Sequence, residues 1–273
     1  MPYPTKKPAA KAARAAAVRR QRIIRLGASL LALALVAGIA IFSAGSSGGD
    51  KTGGDKKDTA APTDPPTTEP LPEGCVSEAT TQAAPRQYQK PRQVLEKDID
   101  YQAVVHTSCG DLEIDLLEDS APVTVNNFVF LAQEGYFDGL IWHRVVKNFV
   151  VQSGDPDGVN GQEPDGPGYA IKDELPKTGK GYIFGTVAMA NSGVDSGGSQ
   201  FFIVTHLGPK GEPEPANLNP LYSIFGKVSE RSYEVLERLD KLPTQGGDDP
   251  AEADKPVEPI YIDEIEILNL ARV

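Results

Sequence analysis

Alternation opens the readable part of the chain. Tyr101, Ala103, Val105 and Thr107 interleave with Gln102, Val104, His106 and Ser108, the two-residue period of a strand with one face turned to a core. Cys109-Gly110-Asp111 supplies a turn before Leu112, Ile114 and Leu116 repeat the pattern, so a hairpin is predicted. The period then lengthens. Ser120 is placed to cap a helix with Pro122 in its first turn and Val125, Phe128, Val129, Leu131 and Ala132 on one apolar face, until Gly135 stops it. Strands are predicted on both sides of Lys147-Asn148, the second running from Val150 to the Gly154-Asp155-Pro156 turn. After a Gly, Pro and Asp-rich loop from Asp157 to about Gly168, more strands are expected at Thr186–Met189, Phe201–Thr205, Ser223–Val228 and Ile260–Leu268, with a short helix near Ser232–Leu239. Many short strands and two helices predict a mainly β, closed barrel.

The first third of the chain reads differently. Residues 1–25 carry eight basic side chains and no acidic one, which marks a cytoplasmic flank, and Leu26–Ala44 follows without a charge. At about 1.5 Å per residue this run nearly matches a hydrocarbon core of about 30 Å, so a transmembrane helix is expected over 26–44. A cleaved signal peptide competes, because a basic start and an apolar core serve both purposes and Ser43-Ala44 could flank the cleavage site. Residues 45–97 are rich in Gly, Ser, Thr, Asp and Pro with few apolar side chains, so composition predicts a disordered linker. One globular domain, 98–273, is left.

Charge and cysteines narrow the picture. The net charge is -11, and with the basic residues of the N-terminus set aside the remainder is more acidic still. A surface of that sign repels phosphates, which excludes nucleic acid as a partner of the folded domain and favours a soluble monomer. Cys75 and Cys109 are the only two cysteines. With the domain outside the membrane, a disulfide between them leaves no orphan thiol; two free thiols are the alternative. His106, His143 and His206 fit no metal-binding spacing, no phosphate-binding loop is present, and neither a metal nor a cofactor is expected.

The chemistry gathers in two stretches. Trp142 to Gln152 sets one guanidinium, Arg144, among Val146, Phe149, Val150 and Val151, and Gly185 to Val204 holds Met189-Ala190-Asn191 and Gly198-Ser199-Gln200-Phe201-Phe202. Together, His143-Arg144, Phe149 with Gln152 and these two runs resemble the cyclophilin family of peptidyl-prolyl cis/trans isomerases, over roughly 98–273. The resemblance implies an eight-stranded antiparallel barrel capped by two helices, proline-containing polypeptides as substrates, and rotation about the prolyl amide without a nucleophile. It makes Arg144, Phe149 and Gln152 the catalytic set. Val150, Phe202 and Leu218 would complete a proline pocket with Phe149, and Ala190, Asn191, Ser192 and Gln200 would hold the residue before proline.

The chain departs from the family pattern at the rim. Asn217 stands where cyclosporin-sensitive members have tryptophan, Tyr222 where they have histidine, and Val150 where they often have methionine. Weak cyclosporin binding is therefore expected, with Tyr222 still able to close the pocket. Retention of Arg144 and both phenylalanines favours an isomerase assisting exported chains over a binding module or chaperone of the same fold with little turnover.

Overall fold

The computed structural model describes residues 69–84, 86–156 and 166–271. The basic arm, the expected membrane helix over 26–44 and the first part of the expected linker lie outside these residues. Among the described residues no helix is long and apolar enough to cross a membrane.

Among the described residues eight strands form one antiparallel sheet. They are β1 Ile99–Thr107, β2 Gly110–Leu116, β3 Arg144–Val146, β4 Val150–Ser153, β5 Thr186–Met189, β6 Phe201–Val204, β7 Ile224–Val228 and β8 Ile262–Ala271, in the order β3-β4-β6-β5-β7-β2-β1-β8. The predicted β1–β2 hairpin forms with Ala103 opposite Ile114 and Val105 opposite Leu112, and the alternating apolar positions are buried as the period requires. Helices α1 Pro122–Gln133 and α2 Tyr233–Asp240 pack on this sheet, and a third, α3 Pro250–Ala253, is a single turn between α2 and β8.

Closure differs from the expected barrel. Among the described residues no ladder joins the end strands β3 and β8, so the sheet is a half-barrel. The segment leading into β3 meets the start of β8 and the residues before it, through a bridge between Ile141 and Tyr261 and the bonds Trp142 N to Ile260 O, 2.9 Å, and Ile262 N to Leu140 O, 2.7 Å. The free edge of β3 is occupied instead: Val145 N donates to Asp254 O at 2.8 Å, in the excursion that carries α3.

The core gathers around Phe128 of α1. Its ring lies 5.2 Å from Phe137, 5.6 Å from Phe201 and 5.1 Å from Phe225, within the range of favourable aromatic pairs. The cap of α1 is a correction. Ser120 does not cap it; Ala121 holds the cap position without a side-chain bond. The carboxylate of Glu174 accepts from Val123 N at 3.0 Å and Thr124 N at 2.8 Å, so a residue 50 positions away satisfies the exposed amides.

Helix α1 is also buried on more than one face, from Thr124 to Ala132 without a break. Part of the cover is the later half of the segment 69–97, which is described apart from Pro85. Composition marks this segment as a disordered linker, yet it forms an extended strap, bound first to the β1–β2 turn and Asp263 and then, from Arg86 on, to α1 and Glu134. Asn126 of α1 accepts from Val94 N at 2.8 Å and donates to Arg92 O at 2.9 Å, Tyr88 meets Phe130 edge-on at 5.1 Å, and Arg92 pairs with Glu134. Leu71, Cys75, Ala83, Tyr88, Val94 and Leu95 add their apolar surface to the core. Few as they are, these side chains bury apolar surface against the core of the domain, which offsets the ordering cost that composition alone leaves uncovered.

A disulfide joins Cys75 to Cys109 across 34 residues and ties the strap to the turn of the first hairpin. Closing a loop of that length restricts the unfolded chain by about 4 kcal/mol. Cys75→Ser is expected to lower stability by up to that amount and to expose the strap near residue 80 to protease, while turnover of the folded protein stays within about twofold, as peptide mapping and an isomerase assay would show.

Candidate active site

Two faces of one sheet separate the core from the site. Along β4, Val151 turns inward to the main core while Val150 and Gln152 turn outward; along β6, Phe201 and Ile203 turn inward while Phe202 and Val204 turn outward. The Phe201-Phe202 doublet therefore serves both faces. A second apolar cluster forms outside: Val150, Tyr182, Ala188, Phe202, Val204 and Ala216, with Phe149, Ala190, Leu218 and Tyr222 half-buried against it. Every residue expected to bury a proline ring lies in this cluster. Tyr222 meets Phe202 edge-on at 5.2 Å and is fixed by Tyr182, whose O–H donates to Tyr222 O at 2.8 Å and accepts from Tyr222 N at 3.1 Å. Burial raises the Tyr182 pKa, keeping that hydroxyl protonated and able to donate. Asn217 is exposed at the rim.

The polar side of the site follows from register. Arg144 of β3 pairs with Gln152 of β4, and Gln152 with Phe202 of β6, which sets guanidinium, amide and ring on neighbouring strands. Arg144 Nη1 lies 3.5 Å from Gln152 Oε1, a long contact of the kind that tightens when a substrate fills a site. Gln152 Nε2 donates to Gln200 Oε1 at 2.8 Å, and Gln200 Nε2 donates to Asp155 Oδ2 at 2.8 Å. The direction of this relay is dictated by its ends. An ionised carboxylate only accepts, so Gln200 must give Asp155 its amide protons and turn its oxygen to Gln152. Gln152 in turn presents its oxygen to the guanidinium, which only donates. No member faces a like partner.

Gly154 makes this proximity feasible. Its φ is +87°, and a Cβ there would lie 2.3 Å from Ser199 O, so a side chain would force β4 away from the start of β6. Ser199 Oγ donates to Gly154 O at 2.7 Å, and Asn127 of α1 donates to Gly198 O at 2.7 Å, holding the run before Gln200 from both sides. The Asn191 loop is closed by its own bonds: Asn191 Nδ2 to Leu221 O at 2.8 Å and Ser192 N to Ser196 Oγ at 2.8 Å. These leave Ser192 exposed beside Ala190.

His143 does not join the relay. Burial first, then the charges of Arg144 and Lys255, lower its pKa to about 4, so the ring is neutral near pH 7. Two site contacts escape a sequence reading. Asp155 sits in a turn that the sequence marks, but nothing local shows which amide it receives. Asp254, which accepts from Arg144 Nε at 3.2 Å, lies 110 residues from its partner and in no motif. Among the described residues no group of three or more His, Cys, Asp or Glu side chains could hold a metal ion.

Comparison with known proteins gives a consistent picture. Residues 102–267 match the family described as cyclophilin type peptidyl-prolyl cis-trans isomerase/CLD. A peptidyl-prolyl cis-trans isomerase of Arabidopsis thaliana is 39% identical over 146 residues, 54% of this chain and 86% of its own. Peptidyl-prolyl cis-trans isomerase A of Mycobacterium tuberculosis is 36% identical over 184 residues, covering 60% of this chain and 91% of its own. A crystal structure of a Cryptosporidium parvum cyclophilin type peptidyl-prolyl cis-trans isomerase superposes with a TM-score of 0.51 at 29% identity, over 62% of this chain and 98% of that one. The chain belongs to the cyclophilin-type peptidyl-prolyl cis-trans isomerases.

Proposed function

We propose that this isomerase accelerates cis/trans rotation in proline-containing segments of exported polypeptides, acting as a monomer held on the outer side of a membrane by residues 26–44. The observation that carries the site assignment is the meeting of an apolar pocket and a pinned guanidinium across paired strands, Phe202 beside Gln152 and Gln152 beside Arg144. Rotation about a prolyl amide is opposed by C–N resonance with a barrier of about 18 to 20 kcal/mol. As the bond twists, the nitrogen becomes pyramidal and regains its lone pair. Arg144 donates to that lone pair through the rigid fork of N–H groups that a guanidinium presents. Phe149, Val150, Phe202, Leu218 and Tyr222 take the ring out of water. Gln152 holds the substrate backbone, and Ala190, Asn191, Ser192 and Gln200 receive the residue before proline. One charge-assisted bond contributes about 1.5 to 3 kcal/mol, and orientation and desolvation supply the rest.

Binding of Pro-containing peptides has support in a second Cryptosporidium parvum cyclophilin structure, described as in the presence of the dipeptide Ala-Pro, with a TM-score of 0.50 and 29% identity. The extracytoplasmic placement rests on the basic flank and charge-free run of 1–44 and on the Cys75–Cys109 disulfide, a bond that persists in oxidising compartments.

A prolyl-peptide assay on the protein is expected to show a rate that stays flat from about pH 5 to pH 9, because the proposed mechanism transfers no proton and His143, with its pKa lowered to about 4, is already neutral. A bell-shaped profile would mean that a titrating side chain moves a proton in the reaction. Phe149→Ala is expected to lower kcat/KM by about tenfold to a hundredfold with weaker peptide binding, since the pocket opens to water. A folded wild type that binds peptide without turnover would transfer the reading to a binding module. For the placement, fractionation of cells making the full chain is expected to leave an intact protein with the membranes. A soluble product shortened near Ala44 would instead show signal cleavage.

A further inference from the structure

The edge of β3 is held at two adjacent residues by one residue of the excursion between α2 and β8. Asp254 O accepts from Val145 N at 2.8 Å, and Asp254 Oδ2 accepts from Arg144 Nε at 3.2 Å. The excursion is internally braced. Gln245 N donates to Lys255 O at 2.8 Å, Gly246 N to Ala253 O at 3.0 Å, and Thr244 bridges to Pro256, so Asp254 sits in the braced stem of the loop and not at its tip. Arg144 and Asp254 are only 31% and 25% exposed, so neither side chain sweeps freely through solvent.

We propose that Asp254 is a positioning residue for the isomerase reaction, holding the Arg144 guanidinium by its Nε edge so that its outer N–H groups are aimed before substrate arrives. The inference rests on the assignment of Arg144 as the donor. A guanidinium carries five N–H donors in one rigid plane. Asp254 takes the Nε–H and the Gln152 oxygen faces one Nη1 proton, so the plane is fixed from two sides while the remaining donors are left for the twisted amide. Without the carboxylate the long side chain regains rotamers, and a fraction of molecules meets the substrate with the donor misdirected. The effect falls on the chemical step, because Asp254 bonds Arg144 and Val145, while the proline is enclosed by Phe149, Val150, Phe202, Leu218 and Tyr222.

The test compares Asp254→Ala and Asp254→Asn with wild type, using exchange spectroscopy on a prolyl peptide to separate turnover from affinity. Asp254→Ala keeps the backbone carbonyl that binds Val145 and is expected to lower kcat by about threefold to thirtyfold with peptide affinity changed by less than about twofold. Asp254→Asn, whose amide oxygen still accepts from Nε, is expected to recover a large share of that loss. The Arg144 Nε–H resonance, assigned by its disappearance in Arg144→Lys, is expected to be protected from water exchange in wild type and in Asp254→Asn and unprotected in Asp254→Ala. Unchanged turnover in Asp254→Ala would overturn the proposal, as would parallel losses of turnover and affinity in both variants. An inactive wild type would instead defeat the isomerase reading itself, and the Nε–H signal would still decide whether Asp254 holds the guanidinium.

Discussion

The strand register from β3 through β4 to β6 is the constraint on which the site depends. With Arg144 opposite Gln152 and Gln152 opposite Phe202, a slip of one residue would turn Val145, Val151 and Phe201 outward and drive the guanidinium into the core. Such a slip is opposed by the burial of those three apolar side chains. Full burial of a residue of this kind contributes about 1.5 to 3 kcal/mol, so the core fixes the register that the site uses. Stability and function are therefore coupled through alternation, and the inward residues of each strand specify where the outward ones stand.

Around this register the remaining parts act as braces. Helix α1 contributes Phe128 to the core and Asn127 to the run before Gln200, and α1 is itself covered by the strap, whose far end is tied by the Cys75–Cys109 bond. On the opposite flank, the α3 excursion takes the edge of β3 that a fully closed barrel would have given to β8. The half-barrel thus leaves the edge strand of the site in contact with a loop, and that loop brings a carboxylate to Arg144.

What the sequence shows depends on whether the interaction is periodic or long-range. Alternation placed the β1–β2 hairpin, and β-branched content marked the strands on both sides of Lys147-Asn148. The resemblance to the cyclophilins singled out Arg144, Phe149, Gln152, Gln200 and Phe202, and strand register brings them to one face. Three features were illegible for one shared reason: each depends on a partner far along the chain. Glu174 caps α1 from 50 residues away, so Ser120 drew the assignment locally. The strap is polar in composition and gains its order from the domain it lies against. Asp254 carries no local signal because its partner is 110 residues away.

The central claim is that Arg144 stabilises the twisted amide, and the direct measurement is turnover and affinity of Arg144→Ala on one prolyl peptide by NMR exchange and titration. The account predicts a fall in kcat/KM of one to three orders of magnitude, about 1.4 to 4 kcal/mol, with the amide spectrum of the folded protein preserved and peptide affinity changed far less than turnover. Turnover near that of wild type in the folded variant would contradict it.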